Sequence, residues 1–300
     1  MKKHLLPMFL LAASCLATVS LHAADTPPLK VLLITGGCCH DYTKQKDILK
    51  AGLEERANVV VTQIHTDDKS TSPPLPIYGH PDYANGYDIV IHDECSAGIS
   101  DPEIIAGVLK PHRDGIPGVN LHCAMHSYRI GNPNDATTTL GTPHSLWFEY
   151  LGLQSSGHGA QEPISITYVD KSSPITKGLA DWTTGKEELY NNIKMFDTAH
   201  PIGIGAQTVH IKKKADGSPF TNKDKADGTE KVEDKTNAFV DVWTNFYNGK
   251  TRVFSTTAGH NDDTVADARY LDLVTRGVLW ACDKLDDEGK PKAGYGPGGK

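Results

Sequence analysis

The sequence predicts an α/β domain: a mostly parallel central sheet sandwiched between helices. Three observations carry that prediction. Short continuous apolar runs, KVLLIT at 30–35 and DIVIH at 88–92, have the composition of strands buried on both faces. Segments of helical periodicity stand between such runs. The resulting order, strand–helix–strand–strand–helix–strand, is that of a sheet built from crossover connections.

Taken in order, KVLLIT is followed by Gly36 and Gly37, which marks a buried strand ending in a sharp turn. Residues 44–56 have helical spacing, with Ile48, Leu49 and Leu53 on one side and charges elsewhere. Residues 58–64 are β-branched and read as the second strand. Residues 70–87, rich in proline and glycine, read as a long loop. DIVIH is the third strand, Pro102–Leu109 a helix with Asp101 as its cap, and residues 119–122 close the fourth strand. Residues 147–152 form a helix end or turn. Residues 163–169 alternate as a strand does, and 193–196 and 202–205 are short strand-like pieces.

The chain then enters KKKADGSPFTNKDKADGTEKVEDK, polar and turn-rich, expected to be a surface insertion or long β-hairpin arm over 212–235. Residues 238–243 and 252–257 form a strand pair joined across Asn248-Gly249, a strong hairpin signal. Residues 269–282 are a final amphipathic helix with Leu271, Val274, Val278 and Leu279 on its apolar side. Residues 287–300, which include GKPKAGYGPGGK, have the composition of a flexible tail.

Residues 1–24 read as a secretory signal peptide: Lys2 and Lys3 first, then a mostly apolar segment, then Ala23 and Ala24 for cleavage. The expected location is therefore periplasmic or extracellular. The apolar segment is short and broken by Pro7, Ser14 and Ser20, so no integral membrane segment is expected after processing. Cys15 leaves a lipoprotein as a lesser alternative, since Ala12 stands where such a site prefers leucine. The remaining 25–286 are long enough for one α/β domain with a substantial core.

The formal charge is −7, and −9 without the leader, with 28 basic against 37 acidic residues. Opposite charges are mixed and no basic face is evident, which argues against nucleic acid or an anionic membrane as partner. GGCCHD after the first strand is not a phosphate-binding loop, so nucleotide binding has no motif to stand on. The oligomeric state is left open, a homo-oligomer included. After cleavage five cysteines remain: Cys38, Cys39, Cys95, Cys123 and Cys282. Their odd number and irregular spacing do not describe a disulfide framework, and the adjacent Cys38 and Cys39 are not expected to bridge each other.

Fourteen histidines are present, and several fall at strand ends: His40, His92, His122 and His260, with His126 four residues after His122. Parallel sheets gather ligands outside the carboxyl ends of their strands, so these side chains can share one cleft. His122 and His126, with His158 or His260 as a third ligand, would suit a catalytic metal: zinc with one open position, or manganese or iron with added oxygen donors. The same residues would equally line a wet sugar pocket through hydrogen bonds, or stand as isolated structural histidines. Cys123 offers rival chemistry as a nucleophile at a strand-to-helix elbow, although GVNLHCAMH lacks the glycines that keep such an elbow open.

Four segments, LLITGGCCHDY at 32–42, GVNLHCAMHSYR at 118–129, EELYNN at 187–192 and GKTRVFSTTAGHND at 249–262, resemble the ThuA-like, trehalose-utilisation family. YLDLVTRGVLWACDKL at 270–285 looks like that family's last helix. The resemblance implies a flavodoxin-like three-layer sandwich, similar to class I glutamine-amidotransferase domains but without their triad. It also implies work on trehalose and related disaccharides, including sugars oxidised to 3-keto forms.

The positions that match are His40, His122, His126, His158, Glu188, Tyr190 and His260. On this reading His122, His126, His158 and His260 would hold a divalent metal. His158, His260 and Glu188 would be the catalytic set, and His40, Arg129, Tyr190 and Trp147 would contact the sugar. The function implied is metal-dependent cleavage of a 3-keto-glycoside or related disaccharide by C2 proton abstraction, then elimination or hydrolysis. The alternatives are a non-catalytic carbohydrate-binding or scaffold protein and a Cys-dependent hydrolase.

Overall fold

The computed structural model describes residues 26–132, 138–221, 223–226 and 228–299. The segment 1–24, expected to be a leader, lies outside the described residues. The elements in chain order are β1 (Leu29–Gly37), α1 (Tyr42–Arg56), β2 (Val59–Thr66), β3 (Ile89–Cys95), α2 (Pro102–Asp114), β4 (Gly118–Leu121), α3 (Leu146–Leu151), β5 (Leu153–Tyr168), β6 (Trp182–Met195), β7 (Ala199–Lys213), β8 (Lys231–Tyr247), β9 (Thr251–Thr256), α4 (Asp262–Val265) and α5 (Ala268–Ala281).

The strands form one sheet in the order β2-β1-β3-β4-β9-β8-β7-β5-β6. Neighbours from β2 to β9 run parallel; from β9 through β8, β7, β5 and β6 every pairing is antiparallel. This corrects the expectation of a mostly parallel sheet in a simple three-layer sandwich: the sheet is mixed. Long consecutive strands make the second half, where the sequence shows only short strand-like pieces. The middle of β5, residues 156–162, is half-exposed or exposed, and register shifts between Gln154 and Ser165 break its alternation.

The parallel half follows from its apolar runs. Along β1, Val31 and Leu33 join one core with Leu49 and Leu53 of α1 and Leu273 and Val274 of α5. Leu32 and Ile34 join the opposite core with Ile105, Val108 and Leu109 of α2 and Phe148 of α3. Full burial of each such side chain is worth roughly 1.5–3 kcal/mol, so both faces are held against their helices. Asp101 caps α2 through a 2.8 Å bond from Glu103 N, with proline next in the chain. Gly277 lets α5 press directly on the ring of Phe254 in β9, a contact any Cβ would block.

The β8–β9 hairpin turns at Asn248 and Gly249, both at positive φ. β7 and β8 extend past the rest of the sheet as a paired arm, in register as far as Lys213 and Lys231. Residues 287–299 run back along the domain: Tyr295 O accepts from Asn58 N at 3.0 Å. No helix among the described residues is long and apolar enough to cross a membrane.

Candidate active site

Four adjacent parallel strands deliver chemistry at their carboxyl ends. β1 leads through Gly37 to Cys38, Cys39 and His40, β3 ends at Cys95, β4 runs into His122, and β9 leads to Gly259 and His260. His40, His122 and His260 each present one ligand nitrogen, all within 4.8 Å of one another. The far edge of the sheet curls back over this group: Glu188 and Tyr190, two apart on β6 and so on one face, project into it, with His158 and Gln161 opposite them on β5.

The geometry is specific. His122 Nδ1 donates to Thr257 O at 2.6 Å, which leaves the Nε2 lone pair facing His260 Nδ1 at 3.2 Å and Tyr190 Oη at 3.4 Å. His122 itself sits at φ +41, a strained backbone that turns the imidazole into the cleft. Glu188 Oε2 lies 3.3 Å from His260 Nδ1, 3.4 Å from His158 Nδ1 and 3.7 Å from His122 Nε2. Gln161 Nε2 lies 2.7 Å from His260 Nε2. The cleft above has a volume of about 460 Å³ and is lined by His40, Asp41, Gln161, Lys186, His260 and Asn261, among others.

The electrostatics separate these groups. Burial, then the neighbouring His122 and His260, hold His40 neutral with a pKa lowered to about 2. Burial likewise lowers His122 to about 3. For Glu188 burial acts upward, but the bond to His260 and the charges of the surrounding histidines overcome it and bring the carboxyl to about 2. His260 feels burial downward, and Glu188 reverses that, so its pKa is raised. Neutral imidazoles beside an ionised carboxylate are the donor set a divalent ion of the zinc, manganese or iron type takes. His40 adds a buried Nδ1 without a hydrogen-bond partner. The residues present fit such an ion.

This assembly differs from the sequence expectation in its members. His126 does not join the group: its Nε2 bonds Ser155 Oγ at 2.9 Å and its ring stacks on Tyr190 at 4.1 Å. Both rings lie against Tyr190, but only that of His122 reaches the other imidazoles of the cluster. His40, expected to contact sugar, takes the place expected for His126. His158, exposed, stands beside Glu188 rather than within the nitrogen cluster.

Trp147, also expected to contact sugar, is 1 % exposed and donates from Nε1 to Ala124 O at 2.8 Å, so it props the turn from below. Arg129 faces a separate recess of about 280 Å³ with Gln154 and His144; burial lowers its pKa to about 10. His92 lies in the interior, bonded to His112 at 3.1 Å and Glu94 at 2.8 Å.

Two cysteine expectations are corrected as well. Cys38 is bonded to Cys39, and Cys95 to Cys123. Cys95 and Cys123 are brought together by strand ends that sequence spacing does not reveal, while Cys38 and Cys39 are neighbours in the chain. Cys123 therefore carries no free thiol in this state, which removes it as a nucleophile; Cys282 is the free cysteine among the described residues.

Sequence reasoning missed Gln161 and Glu187. Glu187 is fully buried and accepts from the backbone N–H groups of Gly259, His260 and Asn261 at 3.3, 2.9 and 3.2 Å, fixing the loop that carries His260. The doubled glutamate in EELYNN was the available signal: on a strand, neighbours face opposite sides and serve different partners.

The family model described as ThuA, trehalose utilisation, matches residues 30–281. The chain belongs to the ThuA family. Among solved structures it is similar to a ThuA-like protein from Parabacteroides merdae, at 18% identity and TM-score 0.55 over 88% of this chain and 97% of that one. It is also similar to a ThuA-like protein from Bacteroides uniformis, at 16% identity and TM-score 0.52 over 89% and 96%. These likenesses show the shared fold. A search of curated proteins finds no match. Family and donor set together give a carbohydrate-related role with a candidate metal centre.

Proposed function

We propose that this ThuA-family chain is a metal-dependent enzyme that cleaves a 3-keto-glycoside or a related disaccharide. The observation that carries the reading is the convergence of His40, His122, His260 and Glu188, two of which, His40 and His260, line an open polar cleft. The volume of that cleft falls in the range of small-molecule sites. A divalent ion held there would supply a Lewis acid for the ketone oxygen.

The chain's own groups do the rest. A carbonyl at C3 acidifies the C2 proton, because the developing charge delocalises into the ketone. His158, exposed and with Nδ1 3.4 Å from Glu188, is the base that takes this proton. Breaking the C1–O bond then releases the aglycone, whose oxygen takes up a proton, and leaves an unsaturated keto-sugar. No oxidant is consumed. Gln161 holds His260 and reaches into the cleft to orient a hydroxyl.

A purely sugar-binding role has less support: among the described residues no tryptophan, tyrosine or phenylalanine lines the cleft, and Trp147 and Trp243 are buried in the core. An oxidising, exported setting fits the leader at 1–24 and the two disulfides.

The test is metal analysis of untagged protein, coupled to incubation with 3-keto-glycosides and chromatography of the products. About one divalent ion per chain and release of aglycone, both lost in His122→Ala and the second lost in His158→Ala, support the reading. Failure to bind zinc, manganese or iron(II), or full turnover by the metal-free protein, sinks it.

A further inference from the structure

We propose that the sulfurs of Cys38, Cys95 and Cys123, together with the imidazole of His40, form a second site, for a thiophilic divalent cation such as zinc(II), opened by reduction. The inference stands on geometry apart from the carbohydrate reading. The sulfurs of Cys38 and Cys95 are 3.4 Å apart although neither is bonded to the other. The ligand atoms of His40, Cys95 and Cys123 all lie within 4.8 Å of one another. Zinc–sulfur bonds of about 2.3 Å in a tetrahedron place ligand sulfurs about 3.8 Å apart, so small side-chain rotations suffice to complete three sulfurs and one nitrogen around an ion.

The surroundings suit a closed, structural type of site. Cys95 and Cys123 are buried, Cys38 is half-buried, and the ring of Tyr42 packs over them. The backbone is fixed from three directions, by the ends of β1 and β3 and by the turn after β4. His40 Nδ1 is buried with no hydrogen-bond partner, so the cluster contains an unused donor.

In the oxidised state no thiolate is available, because both disulfides are formed. Two equivalents of a dithiol reductant convert them: each disulfide takes up two electrons and two protons, and each dithiol becomes a disulfide. Cation binding then displaces the protons of Cys38, Cys95 and Cys123. Cys39, exposed and at positive φ, is left outside the set; its role is to hold Cys38 in the oxidised state. His40 belongs to both groups, so closing the sulfur site withdraws one imidazole from the histidine–carboxylate centre.

The test uses cobalt(II) as the spectroscopic probe. The full chain is reduced with a dithiol, freed of reductant without air, and titrated with cobalt(II). The expected result is a near-ultraviolet sulfur-to-cobalt charge-transfer band, absent in the oxidised protein, saturating at about one ion per chain. Cys95→Ser and Cys38→Ser each abolish the band; Cys39→Ser keeps it. His122→Ala also keeps it, which separates this site from the histidine–carboxylate centre, whose cobalt complex has no sulfur band. Circular dichroism establishes that each variant is folded. Absence of the band in reduced, folded protein overturns the proposal, as does its persistence in Cys95→Ser or Cys38→Ser.

Discussion

His122 is held by Thr257: its Nδ1 donates to the Thr257 carbonyl oxygen at 2.6 Å, which fixes the tautomer and leaves Nε2 as the acceptor toward the cleft. The first prediction follows. Removing His122 takes away a ligand, whereas removing His126 takes away a partner of Ser155 and Tyr190. His122→Ala should weaken zinc binding by at least about 100-fold, and His126→Ala by much less than that. Isothermal titration on both folded variants checks it, and equal losses would restore the pairing expected from sequence.

Metal affinity should depend on pH with a definite sign. Burial acts downward on His260, but Glu188 raises its pKa, so the ion must displace a proton there up to a higher pH than at an ordinary histidine. Affinity therefore falls as pH is lowered through that range, by about tenfold per unit for each proton displaced. Glu188→Gln removes the partner, so the fall begins at lower pH, on top of a loss of overall affinity. Titrations between pH 5 and 8 measure both; a midpoint that stays in place refutes the coupling.

Stability should also fall in acid, through a second group of histidines. His112 is fully buried, bonds Ile116 O through Nδ1 at 2.8 Å, and has its pKa lowered to about 3 by burial and then by His92. The unfolded chain protonates first, near 6.5, so this group's contribution is complete above that pH and is lost as pH falls from about 6.5 toward 3. The slope approaches 1.4 kcal/mol per pH unit on the order-of-magnitude scale. Urea unfolding at pH 7.5 and 5 should show a smaller difference for His112→Leu than for the parent, whatever its absolute stability.

Trp147 serves the site only by supporting it. Trp147→Ala should cost about 3–5 kcal/mol through the cavity and the lost bond to Ala124 O. Trp147→Phe, which keeps most of the volume, should retain sugar affinity within about twofold while lowering the melting temperature by several degrees. A selective loss of sugar binding in folded Trp147→Phe would return the indole to the cleft wall.

The parallel half was legible because burial on both faces writes itself into continuous apolar runs: KVLLIT and DIVIH became β1 and β3. The gathering of His40, His122 and His260 followed from strand ends, although the same argument also named His92, which lies in the interior. In the antiparallel half the β8–β9 hairpin was legible from Asn248-Gly249, but β5 was not, because it carries bulges where it supplies Ser155, His158 and Gln161, and an irregular strand has no period to read. The swap of His126 for His40 turned on the positive φ of His122, which sequence does not announce. The sulfur cluster was invisible for the same reason as any long-range contact: Cys38, Cys95 and Cys123 are neighbours only once β1, β3 and β4 lie side by side.

Glu187 and Glu188 give the chain an internal ruler. One carboxylate grips the backbone of the His260 loop while the next faces the imidazoles. Were β6 to slip by one residue, either Leu189 would occupy the place of Glu188, or Lys186 would present an ammonium where three N–H donors need an acceptor. Either way the loop and the cleft could not both be satisfied. The placement of His260 is thus tied to the register of a strand at the far edge of the sheet, and a misaligned edge would be a chemically silent protein even if it stayed folded.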